Sequence, residues 1–304
     1  MKDAPDRVSP RTLWLIFLAA VVLRVAAVLV LREYDRPAMM ENGAIAAMLL
    51  DGHGFSVPTL HRPKSGTAPG ETAAVPGQNA FRTQPTSNQP PGYPYVLYAF
   101  WKCFGREPGT FLGLSLLQVL LTSSAVFPMA WLVTRWFGAG AGLWAAWLIC
   151  LMPPHIWYAT RIHHSALAIT AYPWLTWGWL HVHGAPSWWG RVALGLAAGV
   201  AGLFQPLILG VFGALGLIGL ARAVVERKRG EVARWVFFGG IVALTLTPWT
   251  VRNYRVHGCF VPLKNSFPKE LWIGNNPYAT GASVLPEGRE SIFKTILPLY
   301  VTIT

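Results

Sequence analysis

Charge is scarce in this 304-residue sequence, at 12% of residues, and negative charge is scarcest, with 13 Asp and Glu against 25 Lys and Arg. Soluble domains carry about 25% charged residues, so a globular domain surrounded by water is excluded. Cysteine is equally sparse. Cys103, Cys150 and Cys259 lie far apart with no C-x-x-C spacing, which argues against a disulfide framework or a zinc site. There is no internal repeat and no heptad pattern, so solenoid and coiled-coil architectures are set aside.

Apolar residues fill the place of the missing charge: 53% of the chain is hydrophobic, and its mean hydropathy is +0.39. Fifteen Trp and 24 Pro fit the same setting, because indole rings favour the membrane interface and Pro is better tolerated in spanning helices than in soluble ones. The run from Leu13 to Leu31 matches the roughly 20 residues needed to cross the hydrocarbon. It has no small-residue cleavage site and carries Arg24 inside it, so it reads as an uncleaved anchor. Further runs follow at Phe111 to Val133, Ala139 to Met152, Ala166 to Leu180, Val192 to Phe204, Leu207 to Ala221 and Val236 to Thr250. The expected architecture is an all-α integral membrane protein of about seven transmembrane helices, a single domain over 1–304.

Basic residues set the orientation. With the N-terminus inside, the inner segments hold Lys2, Arg7 and Arg11, then Arg135, then Arg191, then Arg222, Arg227, Lys228, Arg229 and Arg234, while the short outer connections hold Arg161 alone. This assignment makes Tyr93 to Phe104 an interfacial helix, too short to cross and broken at Gly105 and Pro108. Two segments then lie outside: a first loop over 32–109, with a flexible insert at 57–90 rich in Pro, Gly, Ser and Thr, and a C-terminal segment over 251–304.

The second outer segment carries Arg252, Arg255, Lys264 and Lys269, on the side where the topology rule needs no positive charge. An anionic partner at the membrane surface, such as a phosphate, fits these cations, and snorkelling at a helix end fits them as well. Arg24 costs about 2.5 to 3.5 kcal/mol at mid-membrane on insertion scales, so it is expected to face a wet cavity or a partner, or to snorkel toward the outer face. Arg161, His163 and His164 sit in the outer turn between the third and fourth spans. Adjacent histidines do not share a helix face, so a metal pair is not expected there, whereas contact with a phosphate or hydroxyl, or simple exposure, is.

In the first outer loop, ENGAIAAMLLDGHGFS places Glu41 at the start of a short helix over Asn42 to Leu50. Ile45, Met48 and Leu49 form its apolar face, and Gly52 and Gly54 end it. Such a helix would hold the carboxylate over the outer mouth of the bundle, where burial would raise its pKa toward that of a general base. A favourable charge at a helix N-terminus accounts for the same glutamate.

ENGAIAAMLLDGHGFS, QPPGYPYVLYAFWKCFG and PWTVRNYRVHGCFVPLKNSFPKELWIGNN, in that order, together resemble bacterial membrane glycosyltransferases of the GT-C class, of glycosyltransferase family 39 type. These include protein O-mannosyltransferases, aminoarabinose transferases and the lipopolysaccharide-core transferases of rhizobia. The resemblance covers nearly the whole chain, and the third stretch is its most specific part. It implies a multi-pass enzyme of the bacterial cytoplasmic membrane, active on the periplasmic or extracellular face. Its donor would be a polyprenyl-phosphate sugar and its acceptor a lipid, glycan or protein, with no nucleic-acid partner.

Glu41 matches the position of the family's acidic base, with Asn42 where some relatives have a second acid. Where relatives have an acid near the start of the fourth span, this chain has His163, His164 and Ser165. Gln205-Pro206 replaces their Arg-Pro or Asn-Pro, and the first outer loop is longer. Relatives also continue past the GNN stretch, so the C-terminal segment is expected to be incomplete. The implied reaction is an inverting transfer, with Glu41 deprotonating the acceptor and Arg252, Arg255, Lys264 and Lys269, together with Arg24 and Arg161, around the leaving phosphate. Asn275 and Asn276 would bond sugar or acceptor hydroxyls, although Asn-Asn-Pro is equally a turn. No cofactor is required, and a divalent metal is left open. The competing class is a transporter or lipid-carrier-binding protein, or an inactive relative. A transporter would be expected to show related helical halves and broken helices at the bilayer midplane, and neither is evident in the sequence.

Overall fold

A computed structural model of the chain describes residues 7–59, 82–184 and 187–275. It is almost entirely helical. The first helix, α1 (Pro10–Leu31), starts on a proline, whose missing N–H is harmless in a first turn. Every fourth residue of α1 faces inward, giving a buried stripe of Ile16, Ala20, Arg24 and Val28, while Trp14, Leu15, Leu18, Val22 and Val30 are exposed on the other side. An apolar face left exposed along a whole helix suits lipid, not water.

The next segment builds a compact layer at one end of the bundle. It comprises α2 (Met40–Leu50), β1 (Ser56–Thr59), β2 (Arg82–Pro85) and α3 (Gly92–Phe104). The two strands pair antiparallel, Ser56 opposite Pro85 and Thr59 opposite Arg82, so both margins of the expected flexible insert are ordered; the Leu60 to Phe81 part of it lies outside the described residues. Ile45 is buried against Phe55, Trp249 and Leu263, and Ala46 against Tyr93, Leu97 and Trp101. Of the two sites the sequence allowed for the α2 apolar face, membrane or neighbouring helices, it takes the second.

Helix α4 (Pro108–Ser124) continues through Ala125 into α5 (Val126–Leu151), and the chain reverses inside α5 at Gly138, where φ is +85° and ψ 170°. Twelve residues of straight helix would span about 18 Å. Instead, a Cβ placed on Gly142 would stand 2.8 Å from the Ala130 carbonyl, so the two halves of α5 lie side by side as a hairpin. This break separates the expected spans Phe111 to Val133 and Ala139 to Met152.

The remaining helices are α6 (Pro153–Thr160), α7 (Ser165–Gly184), α8 (Trp188–Phe204), α9 (Leu207–Val225), α10 (Arg229–His257) and α11 (Phe267–Asn275). Helices α8 and α10 run parallel and touch closely: a Cβ on Gly195 would lie 3.0 Å from Ile241, and one on Gly199 would lie 2.7 Å from Thr245. Small residues four apart allow two backbones this approach in an apolar medium, where packing and not water exclusion drives association.

Among the described residues, four helical stretches, Pro10–Leu31, Pro108–Thr160, Leu207–Val225 and Arg229–His257, are long and apolar enough to cross a membrane. The chain is therefore a helical membrane protein. Its loop-bearing end gathers α2, the β-hairpin, α3, α6 and the turn after α10. At the opposite end, buried Arg191 pairs with Glu231 at 2.6 Å and Arg234 shares that carboxylate, joining α8 to α10.

Candidate functional site

At the loop-bearing end the chain after α10 folds back over the bundle. Gly258, at φ +66°, caps the helix, its N–H donating to the Tyr254 carbonyl; a left-handed residue here suits glycine. Trp249 Nε1 donates to the Leu263 carbonyl at 2.8 Å, and Asn253 Nδ2 donates to the Val261 and Leu263 carbonyls at 3.0 and 3.2 Å. The Asn265 N–H then donates to the Ser87 carbonyl at 3.0 Å. These bonds fix the backbone on both sides of Lys264 while its side chain stays exposed.

Arg252 clamps the first loop onto the same helix end. Its Nη2 donates to the Phe55 carbonyl at 2.6 Å, and its Nη1 to the Thr86 carbonyl at 2.7 Å, Ser87 Oγ at 3.1 Å and Asn253 Oδ1 at 3.1 Å. The guanidinium also lies over the Phe55 and Trp249 rings. Only a planar fork can serve carbonyls from two separate strands of chain while stacking on aromatic faces.

Glu41 occupies the first turn of α2, half-buried, and accepts a hydrogen bond from Gln89 Nε2 at 3.2 Å. Asn42 beside it is buried. Four residues after Gln89, the Tyr93 hydroxyl donates to Gln118 Oε1 at 2.8 Å, and Gln118 Nε2 donates to the Arg161 carbonyl at 2.7 Å. Burial pushes the Tyr93 phenol well above its ordinary pKa, so it stays a donor. This relay ties α3 and α4 to the turn between α6 and α7.

That turn holds Arg161, His163 and His164. Arg161 pairs with Glu33 at 3.3 Å and lies over the Trp157 ring, leaving its buried Nε without a hydrogen-bond partner. The two imidazoles stand with centroids 4.1 Å apart, because the backbone here is an irregular turn and not the helix for which the sequence argument separated them. The Ser165 N–H donates to His163 Nδ1 at 3.2 Å, with Ser165 Oγ 2.9 Å from the same nitrogen. A backbone N–H aimed at Nδ1 favours the His163 tautomer that carries its proton on Nε2. Burial first and then Arg161 lower its pKa. His164 packs near the Tyr93 ring, its Nδ1 is buried without a partner, and burial, His163 and Lys264 together push its pKa down to about 4.

Two of the expected phosphate cations have other employment. Of the alternatives for Arg24 it is a partner that the structure supplies, not snorkelling: the side chain is fully buried and donates to the Ile149 carbonyl at 2.8 Å and the Cys150 carbonyl at 3.2 Å. A cation at those carbonyls meets the negative end of α5, which stops one residue later. Arg252 has both terminal nitrogens engaged by the first loop, as above. Arg255 is exposed near the end of α10, and Asn275 Nδ2 bonds back to the Leu271 carbonyl of its own helix at 2.7 Å. The Lys269 side chain and Asn276 lie outside the described residues. Glu41, Arg161, His163, His164 and Lys264 are thus the sequence-derived candidates that share one polar layer.

Sequence reasoning missed Gln89, Tyr93, Gln118 and Ser87, which position that layer. Their only signal was an aromatic and amide content within stretches otherwise read as loop or span. An apolar groove lined by Phe212, Gly216, Trp235 and Val242 lies between α9 and α10, away from these residues. Among the described residues, no group of three or more His, Cys, Asp or Glu converges as a metal site would. No protein-family model, curated protein or solved structure matches the chain.

Proposed function

We propose that the chain is an integral membrane glycosyltransferase that moves a sugar from a polyprenyl-phosphate donor to an acceptor hydroxyl or amine, with inversion. The observation that carries this reading is that a held carboxylate, Glu41, and a cationic, histidine-bearing turn lie at the same end of the bundle, linked through Gln89 just before α3, Tyr93 on α3 and Gln118 on α4. Glu41, fixed by Gln89, is the base; Arg161, His163, His164 and Lys264 face the phosphate. The hairpins at Gly138 and between α7, α8, α9 and α10 support seven crossings. With the basic segments taken as the inner ones, this reading has the N-terminus in the cytoplasm and the loop-bearing end on the outer face of a bacterial inner membrane.

In this reaction Glu41 accepts the proton of the acceptor as its oxygen or nitrogen attacks the anomeric carbon. The bond from that carbon to the phosphate oxygen breaks, and polyprenyl phosphate leaves with the electron pair. Charge grows on the leaving oxygen, so cations and N–H donors already in place stabilise the transition state more than the ground state.

The test is transfer from a radiolabelled polyprenyl-phosphate sugar by the purified chain in lipid nanodiscs. Glu41→Gln is expected to lower the rate at least 100-fold, in the range of general-base loss. Full transfer by Glu41→Gln would exclude the base assignment, and donor binding without transfer by the unaltered chain would favour a lipid-carrier-binding protein.

A further inference from the structure

The two rings of the His163–His164 pair are held differently, one facing a backbone N–H and the other with a buried nitrogen that has no partner. The Ser165 N–H aimed at Nδ1 favours the His163 tautomer protonated on Nε2, which makes Nε2–H a donor. Protonating Nδ1 would set two N–H groups against each other. His164 has no such contact, since its buried Nδ1 lacks any partner. The groups facing it are His163 on its own turn, Tyr93 from α3 and Lys264 from the segment after α10, with Arg161 and, from α6, Tyr158 against His163. Glu33 offsets part of the Arg161 charge.

We propose that this turn is a proton-linked receptor for a phosphate monoester: His163 Nε2–H, Arg161 and Lys264 bind the anion, and His164 takes up a proton as it arrives. The proposal rests on the reading of this mouth as the phosphate end of a lipid-linked donor. It gives the site a preference that the donor reading lacks. The donor is a phosphodiester with one charge, whereas the released polyprenyl phosphate carries about 1.5 to 2 charges near neutral pH. Burial, with Lys264 beside it, keeps His164 neutral. A dianion beside it reverses the sign of its surroundings and favours the imidazolium, so the product is held more tightly as pH falls, until the phosphate itself protonates. The proton added to His164 comes from solvent, and no covalent bond changes.

The experiment uses the full chain in nanodiscs and geranyl phosphate as the probe, with binding followed by calorimetry near neutral pH. Two buffers of different ionisation enthalpy reveal the protons taken up. Geranyl phosphate is expected to bind roughly tenfold or more tightly than geraniol, with net proton uptake. His164→Gln is expected to abolish the uptake and weaken binding, and His163→Gln to weaken binding while uptake remains. Absence of uptake in the unaltered chain, or equal uptake in His164→Gln, would overturn the proposal. The unaltered chain carries its own test, so a poorly folded variant does not decide the matter. Equal affinity for inorganic phosphate and geranyl phosphate would overturn the lipid assignment. Linked uptake in a chain that transfers no sugar would instead sink the transferase reading and leave this receptor standing.

Discussion

Arg252 and Phe55 are 197 positions apart in the chain, and the Arg252 Nη2 to Phe55 carbonyl distance is 2.6 Å. Through this contact the last long helix grips the end of the α2 segment, and the same guanidinium reaches Thr86 and Ser87 after β2. Both flanks of the β-hairpin are therefore hung from one side chain. Its neighbour Asn253, fully buried, completes the grip by accepting from Ser87 Oγ at 2.8 Å and donating to the Val261 and Leu263 carbonyls.

Replacing Arg252 by Ala is expected to destabilise the chain by about 2 to 3 kcal/mol, since it strands several carbonyls that are poorly placed to find water. Arg252→Lys should recover little, because a point charge cannot serve two separate carbonyl groups as a fork does. Thermal unfolding in detergent measures both, and full recovery by the lysine variant would show that charge alone matters.

Arg24 should behave as a structural cation. Arg24→Met removes a buried charge yet leaves the Ile149 and Cys150 carbonyls unsatisfied, and a loss of about 1.5 to 3 kcal/mol is expected, the range for hydrogen bonds to charged groups. Binding of geranyl phosphate by the folded fraction should be unchanged. A selective loss of phosphate binding at normal stability would return Arg24 to the site.

At Gly138 the cost is confined to the backbone. A Cβ there meets open space, but φ +85° with ψ 170° is a conformation that only glycine adopts readily. Gly138→Ala is expected to cost about 1 to 3 kcal/mol, read as a lowered melting temperature. An unchanged melting temperature would mean that the reversal tolerates another backbone geometry.

Acid should weaken the fold through His164. Its folded pKa of about 4 lies below the unfolded value of 6.5, so between those values the unfolded chain binds more protons than the folded one. Stability is then complete above about pH 6.5 and is lost as pH falls toward 4. His163, also lowered, adds in the same direction. The melting temperature is expected to drop across that window, and less steeply in His164→Gln. A variant with the same slope as the unaltered chain would assign the effect to other groups.

Several elements could be read in advance because their cause is local. The run after Leu13, the stop at Gly105, the turn at Gly52 and Gly54 and the gap between the runs that end at Val133 and begin at Ala139 all follow from apolar length and from glycine. The polar site was less legible. Arg24 and Arg252 resemble free cations in sequence, and only their distant carbonyl partners show otherwise. Gln89 and Gln118 carry no pattern at all, since an amide becomes informative only when its acceptor is known.

The sequence by itself determined a helical membrane protein, through hydropathy that acts residue by residue along the chain, and it singled out Glu41 and the Arg161 to His164 turn through residue type. Tertiary structure alone decided which cations are engaged by carbonyls and carboxylates, and that His163 Nδ1 meets a backbone N–H while His164 Nδ1 is buried without a partner. Those outcomes depend on hydrogen bonds between a turn, two loops and a helix end, whose partners are set by how the bundle packs and not by spacing along the chain.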